Sequence, residues 1–174
     1  YMNIAIVTGA SSGLGRSFIR QLDRQGGLDE IWGVARRRER MEELAAQLST
    51  PMRPLALDLT KTESVETLRA LLQETGADVR VLINSAGFGK FGTYADMTLQ
   101  ETADMVDLNC KAAVALTAAV LPHMGRGGRV LEICSSASFQ PLPGFNVYAA
   151  TKAFLLRYSR ALRWEAAPRG IRVT

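Results

Sequence analysis

Tyr148 and Lys152 stand four residues apart, so a helix beginning near Val147 turns both side chains toward the same side. A phenol, with an ordinary pKa of about 10, exchanges protons poorly near neutrality unless its ionised form is stabilised. An ammonium beside it supplies that stabilisation. His123 is the sole histidine, so neither a histidine-based metal cluster nor a serine-histidine pair can be assembled within the chain.

The second group of chemically suggestive residues is Thr8-Gly9-Ala10-Ser11-Ser12-Gly13-Leu14-Gly15, which joins an apolar run to an amphipathic segment. A strand, a glycine turn and a helix in that order form the context of a dinucleotide site: glycines admit the tight turn, and free amides at the positive end of the helix hold a pyrophosphate. A glycine-rich loop that only turns is the plainer reading. Where many NAD sites carry an acidic residue after the second strand, this chain has Ala35 followed by Arg36. A guanidinium there suits a 2′-phosphate, which favours NADP(H). Arg37 fits either that role or a solvated surface, and Arg38 and Arg40 fit the start of a charged helix.

The spacing T-G-x-x-x-G-x-G, followed in order by Asp58-Leu59, Asn84-Ser85-Ala86-Gly87, Asn109, Ser135 and the Tyr148-Lys152 pair, resembles the short-chain dehydrogenase/reductase family from Met2 to Thr174. Asn84-Ser85-Ala86-Gly87 is similar to the family's N-N-A-G with serine in second place. The resemblance implies hydride transfer between NADP(H) and a carbonyl or alcohol. Tyr148 is then the acid/base, Lys152 its activator, Ser135 the residue that orients the substrate oxygen, and Asn109 the residue that holds a water of the proton relay. It also implies that Gly9, Ser11, Ser12, Gly13, Leu14, Gly15, Arg36, Asp58, Leu59, Asn84, Ala86 and Gly87 bind the cofactor together with Tyr148 and Lys152, with Asp58 near the adenine. Taken singly, Asp58 and Asn84 are also ordinary turn or capping residues, and Asn109 is equally a buried amide satisfying a helix kink. Ser136 competes with Ser135, but neighbours on a strand face opposite ways, and the register favours Ser135. Phe88, Phe91, Phe139 and Phe145 line an apolar substrate pocket or simply fill loops.

These residues need a scaffold, and the pattern between them is a regular alternation of short apolar runs with helical stripes. That rhythm predicts one α/β domain over residues 1–174, a Rossmann-like doubly wound parallel sheet flanked by helices. The expected strands are Asn3 to Thr8, Glu30 to Ala35, Arg53 to Leu57, Val79 to Asn84, Gly128 to Cys134 and a sixth opening at Ile171. Leu14, Phe18 and Leu22 mark one helical stripe, and Met41, Leu44 and Leu48 another. Thr60-Lys61-Thr62-Glu63 suggests a capping box. The sequence ends as the sixth strand opens, so the sheet is expected to be unfinished there, with the substrate lid implied by the resemblance lying outside these residues.

With 174 residues, 47% hydrophobic and 22% charged, the composition is that of an ordinary globular domain. A net charge of +4 without a basic stripe gives no support to nucleic-acid binding. The alanine-rich run Ala112 to Leu121, about ten residues, is too short to cross a bilayer of roughly 30 Å and is expected to be a buried helix. No basic leader with an apolar core precedes the first strand, and Cys110 and Cys134 sit in apolar settings that suit reduced thiols. A cytoplasmic location without membrane attachment follows as the expectation. The alanine faces at Ala112 to Ala119 and Ala149 to Ala161 allow close helix packing, and the resemblance implies a homodimer or homotetramer. Two other readings compete: an NADP(H)-binding sensor or regulatory subunit without catalysis, for which the Ser-Tyr-Lys set is superfluous, and a nucleotide-dependent methyltransferase, which gives no reason for the tyrosine-lysine pair.

Overall fold

A strand covered on both faces must be apolar at nearly every position, because successive side chains leave on opposite sides. In β1 (Asn3–Thr8), Ile4 and Ile6 join one apolar cluster while Val7 joins another across the sheet. In β2 (Glu30–Ala35), Trp32 and Val34 go to the first cluster and Ile31 to the second. With β3 (Met52–Ala56), β4 (Asp78–Asn84), β5 (Arg129–Glu132) and β6 (Arg172–Val173) they form one parallel sheet in the order β3-β2-β1-β4-β5-β6. The computed structural model describes residues 1–174. The strand order reverses between β1 and β4, and in such sheets ligands enter the crevice at the carboxyl ends of those strands.

Helices cover both faces. α1 (Gly13–Gln25) and α2 (Arg38–Ala45) bring Ile19, Met41 and Leu44 to the smaller cluster. On the other face α3 (Thr62–Thr75), α5 (Ala113–Val120) and α6 (Asn146–Ala166) bring Leu68, Leu72, Leu116, Val120, Leu162 and Ala166 to the larger one. Each of these side chains larger than alanine contributes roughly 1.5 to 3 kcal/mol when fully buried. The doubly wound Rossmann-like sheet read from the sequence is therefore the observed architecture.

Three local expectations are corrected. The residues from Thr60 to Glu63 do not cap α3: the Thr60 hydroxyl instead donates to Asp58 Oδ1 at 2.7 Å, and the N-cap, Lys61, makes no side-chain cap bond. The capping box lies at α4 (Leu99–Val106), where Thr98 Oγ1 accepts from Glu101 N and Glu101 Oε2 accepts from Thr98 N. β5 ends at Glu132 rather than Cys134, so Ser135 and Ser136 lie beyond the strand and strand alternation does not choose between them. Thirdly, the alanine run is part of a continuous helix, Leu99–His123, which is 25 residues long and apolar enough to cross a membrane by length and composition. Met105, Leu116 and Val120 are fully buried in the fold, the position of a core helix.

That long helix changes pitch between α4 and α5, where Asp107–Ala112 forms a π turn. A π turn inserts one residue into the helical ladder and re-aims the side chains near it. Asn109 lies within it.

Candidate active site

The turn after β1 is built around Gly9, whose φ of +68° is readily available only to glycine, and a Cβ there would lie 3.1 Å from the Ser85 carbonyl and the Ala86 nitrogen. Thr8 draws the two strand ends together: its Oγ1 accepts from Ser85 N at 3.0 Å and from Ala86 N at 2.9 Å. Gly15, buried in the first turn of α1, packs against the Gly9 carbonyl so closely that a Cβ would collide with it. Gly13 and Leu14 open the helix on its exposed side, and Ser12 makes no side-chain cap bond, so the first amides of α1 keep no side-chain acceptor.

Beside this turn lies a groove of about 560 Å³ whose walls include Gly9, Ser11, Ser12, Arg36, Arg37, Asp58, Leu59, Ala86 and Gly87. The Asp58 carboxyl lies below its usual range, chiefly because the Thr60 hydroxyl and then the Thr60 amide donate to it, with Arg36 adding a nearby positive charge. Arg37, left undecided by the sequence, reaches across the turn: its Nη2 donates to Ser11 Oγ at 3.1 Å and Ser12 Oγ at 3.3 Å. Two guanidiniums, a glycine cradle and a helix N-terminus make a site that fits a polyphosphate nucleotide. Asn84 does not reach the groove with its side chain. Its amide is buried beneath the turn, donating to Thr117 Oγ1 at 2.9 Å and Glu132 Oε1 at 2.7 Å.

At the other end of the crevice α6 presents Tyr148 and Lys152 on one side, as their spacing requires. Lys152 Nζ sits 5.7 Å from the centre of the Tyr148 ring and donates to the Ile133 carbonyl at 2.8 Å. Burial pushes the lysine pKa down, while Cys134, Cys110 and Glu132 act to raise it. Both cysteines are unpaired; Cys110 is buried but Cys134 only half-buried, and burial raises both thiol pKa values. Ser135 is extended and caps a short 3-10 turn over Ser136–Phe139, accepting from Ala137 N at 3.2 Å. Its hydroxyl donates to no protein group, so the proton is available to an incoming oxygen.

Asn109 is fully buried, and its amide is spent on structure: Oδ1 accepts from Phe88 N at 3.0 Å, and Nδ2 donates to Phe88 O at 2.8 Å and Thr151 Oγ1 at 3.1 Å. The π turn is thereby fastened to the loop after β4 and to the residue preceding Lys152. A Cβ at Gly87 would stand 3.0 Å from Asn109 Oδ1 and 3.5 Å from Lys152 Nζ, which locates both side chains beside the groove.

Sequence reasoning passed over Gly89, Thr117 and Glu132. Gly89 makes room for the Phe145 and Tyr148 rings, each 2.7 Å from where its Cβ would be. Those rings stack at 4.3 Å, and Phe91 stacks on Phe145 at 4.1 Å, giving an aromatic wall that ends on the phenol. Phe139 stands 71% exposed and joins neither stack. A glycine two residues after the Ala86-Gly87 pair was the available signal for the wall; nothing in the local pattern marked Glu132.

Comparison with known proteins identifies the family and agrees with the fold. The profile of the family described as short chain dehydrogenase matches residues 3–174. The chain is 35% identical to serine 3-dehydrogenase of Agrobacterium fabrum, covering 97% of this chain and 68% of that protein. It is 33% identical to the NADP-dependent 3-hydroxy acid dehydrogenase of Escherichia coli, with 98% and 69% covered. Among solved structures, a short-chain dehydrogenase from Sphingobium yanoikuyae in complex with NADPH superimposes with a TM-score of 0.88 at 31% identity, covering 99% of this chain and 69% of that one.

Proposed function

The chain belongs to the short-chain dehydrogenase family, and from that premise we propose that it transfers hydride reversibly between NADP(H) and a carbonyl or secondary alcohol. The observation that carries the proposal is Tyr148 and Lys152 on one side of α6, with Lys152 Nζ beside Gly87 of the glycine-arginine groove and bonded to the Ile133 carbonyl, two residues before the free Ser135 hydroxyl. Residues 1–174 then hold both the cofactor groove and the proton-handling set.

In the direction of reduction, Ser135 donates its hydroxyl proton in a hydrogen bond to the substrate oxygen and holds it in place. Tyr148 delivers the proton that this oxygen takes up, and Lys152 supplies the positive charge that the resulting phenolate needs. Asn109 keeps the lysine's neighbourhood fixed through Phe88 and Thr151. The nicotinamide, when bound, supplies or takes the hydride at the substrate carbon. The groove would hold the rest of the cofactor, with Gly9, Ser12 and the first turn of α1 available to its phosphates and Arg36, Arg37 and Ser11 to a 2′-phosphate. The NADPH complex of the Sphingobium relative and the NADP dependence in the name of the Escherichia relative support this choice of nucleotide. The wall of Phe91, Phe145 and Tyr148 favours an apolar substituent on the substrate. We extend the proposal to a cytoplasmic homodimer or homotetramer.

The test is NADPH oxidation across a panel of carbonyl compounds, comparing the intact protein with Tyr148→Phe. Loss of the proton donor is expected to lower kcat by at least about a hundredfold, with NADPH affinity little changed. Equal rates in the two proteins would remove the tyrosine from the mechanism, and tight NADPH binding without turnover of any carbonyl would instead favour a sensor.

A further inference from the structure

Glu132 is a glutamate in the wrong company. It stands on β5, 4% exposed, two residues after Val130 of the larger apolar cluster. Its Oε1 accepts from Asn84 Nδ2 at 2.7 Å and lies 3.0 Å from Thr117 Oγ1, while its enclosed Oε2 meets no hydrogen-bond partner. An unsatisfied buried oxygen costs about 1 to 3 kcal/mol, and more when charged. Structure alone does not call for a carboxylate, since the carbonyl of a glutamine would accept the same bond from Asn84. A buried acid that the fold does not need is a candidate for work at the neighbouring site.

The neighbour is Lys152. This lysine is 7% exposed and forms no ion pair. Its one hydrogen bond runs to the carbonyl of Ile133, the residue that follows Glu132. The titratable groups around it are Tyr148 on its own helix, Cys110 on the π turn, and Glu132 and Cys134 on and just after β5. Facing Glu132 in turn are Lys152 and Tyr158 from α6, with Cys134 beyond the strand end. Cys134 and Cys110 act on the lysine more strongly than Glu132 does, but burial raises both thiols, so they take on charge only in the alkaline range, after the carboxylate has done so. A carboxylate is the remaining anion.

Resting on the acid/base reading of Tyr148 and Lys152 above, we propose that Glu132 is a positioning residue of the active site: a buried carboxylate behind Lys152 that keeps the ammonium charged at alkaline pH and so preserves a cationic partner for Tyr148. The carboxyl is pushed up to about 7 by burial, against the pull of Asn84, Thr117 and Lys152. It is therefore charged at alkaline pH, where the lysine, lowered by its own burial, is the group that stands to lose its charge. The two titrations are coupled through the interior rather than through a direct bond.

The experiment follows the 13C resonance of the Lys152 ε-carbon in the intact protein and in Glu132→Gln, between about pH 6 and about pH 11, with assignment by Lys152→Arg. In the Gln variant the lysine midpoint is expected to move toward acid, and the alkaline limb of kcat for carbonyl reduction with it, with roughly tenfold less activity on that limb. KM for NADPH should hold, and a purely structural glutamate would lower thermal stability without moving either midpoint. If Glu132→Gln does not fold, the unmutated protein still decides the matter: its lysine signal should show a second, smaller step near pH 7 as Glu132 ionises. Identical midpoints in both proteins, or no step near pH 7 in the unmutated one, overturns the proposal. A shifted lysine midpoint in a protein that turns over no carbonyl would leave the carboxylate-lysine coupling standing and bring down the hydride-transfer reading instead.

Discussion

Arg37 ties the glycine turn to the start of α2 through the hydroxyls of Ser11 and Ser12, and Arg36 stands beside Asp58 across the same groove. A guanidinium that already reaches two serine hydroxyls is oriented before any phosphate arrives, which reduces the side-chain entropy lost on binding. Arg36→Ala and Arg37→Ala are each expected to weaken NADPH binding by roughly tenfold to a hundredfold, the size of one charge-assisted hydrogen bond, and to leave NADH affinity nearly unchanged. Titration of each variant with both nucleotides checks this, and parallel losses for NADPH and NADH would show that neither arginine reads the 2′-phosphate. Both arginines line the groove, yet only Arg37 bonds across the turn, a difference the sequence could not show because the direction of two adjacent side chains in an irregular segment follows no periodicity. Tyr148 and Lys152 were legible for the opposite reason: their separation matches the pitch of a helix, and the helix forms.

Among the elements, the strands and most helices could be read from apolar runs and stripes, because burial on both sides of a parallel sheet leaves an almost unbroken apolar signature. The π turn at Asp107–Ala112 had no such signature. Its residues fit an α-helix equally well, and the extra residue is stabilised by contacts from Phe88 and Thr151, far away in sequence. The cap expected at Thr60 failed in a similar way, since the hydroxyl had a closer acceptor in Asp58 than the first turn of α3. The π turn gives a prediction of its own. Asn109→Ala strips both backbone groups of Phe88 of their partner in a part-buried setting, and should cost about 1 to 3 kcal/mol of stability, measured by urea unfolding, alongside any loss of activity. Full stability with lost activity would assign Asn109 a purely chemical role.

For the molecule as a whole, the buried acid gives stability an unusual pH dependence. Asp23, Asp58, Asp96 and Glu101 have folded pKa values below their ordinary ones, so what they contribute is present above the unfolded carboxylate range and is lost as acid protonates them. Glu132 runs the other way. Its folded pKa, about 7 against an ordinary 4.5, means the folded protein binds a proton that the unfolded chain has already released. Its contribution is complete below pH 4.5 and declines as pH rises through 7, by about 3 kcal/mol in all at roughly 1.4 kcal/mol per unit. The two trends together place maximum stability on the acid side of neutrality, and Glu132→Gln, which cannot ionise, should remove the upper decline. Urea midpoints measured near pH 5.5 and near pH 8 are expected to differ clearly in the unmutated protein and to converge in the variant, which would then be the more stable of the two at pH 8. Parallel behaviour of the two proteins across that window would mean that Glu132 enters the fold already ionised, with a counter-charge close enough to offset its burial.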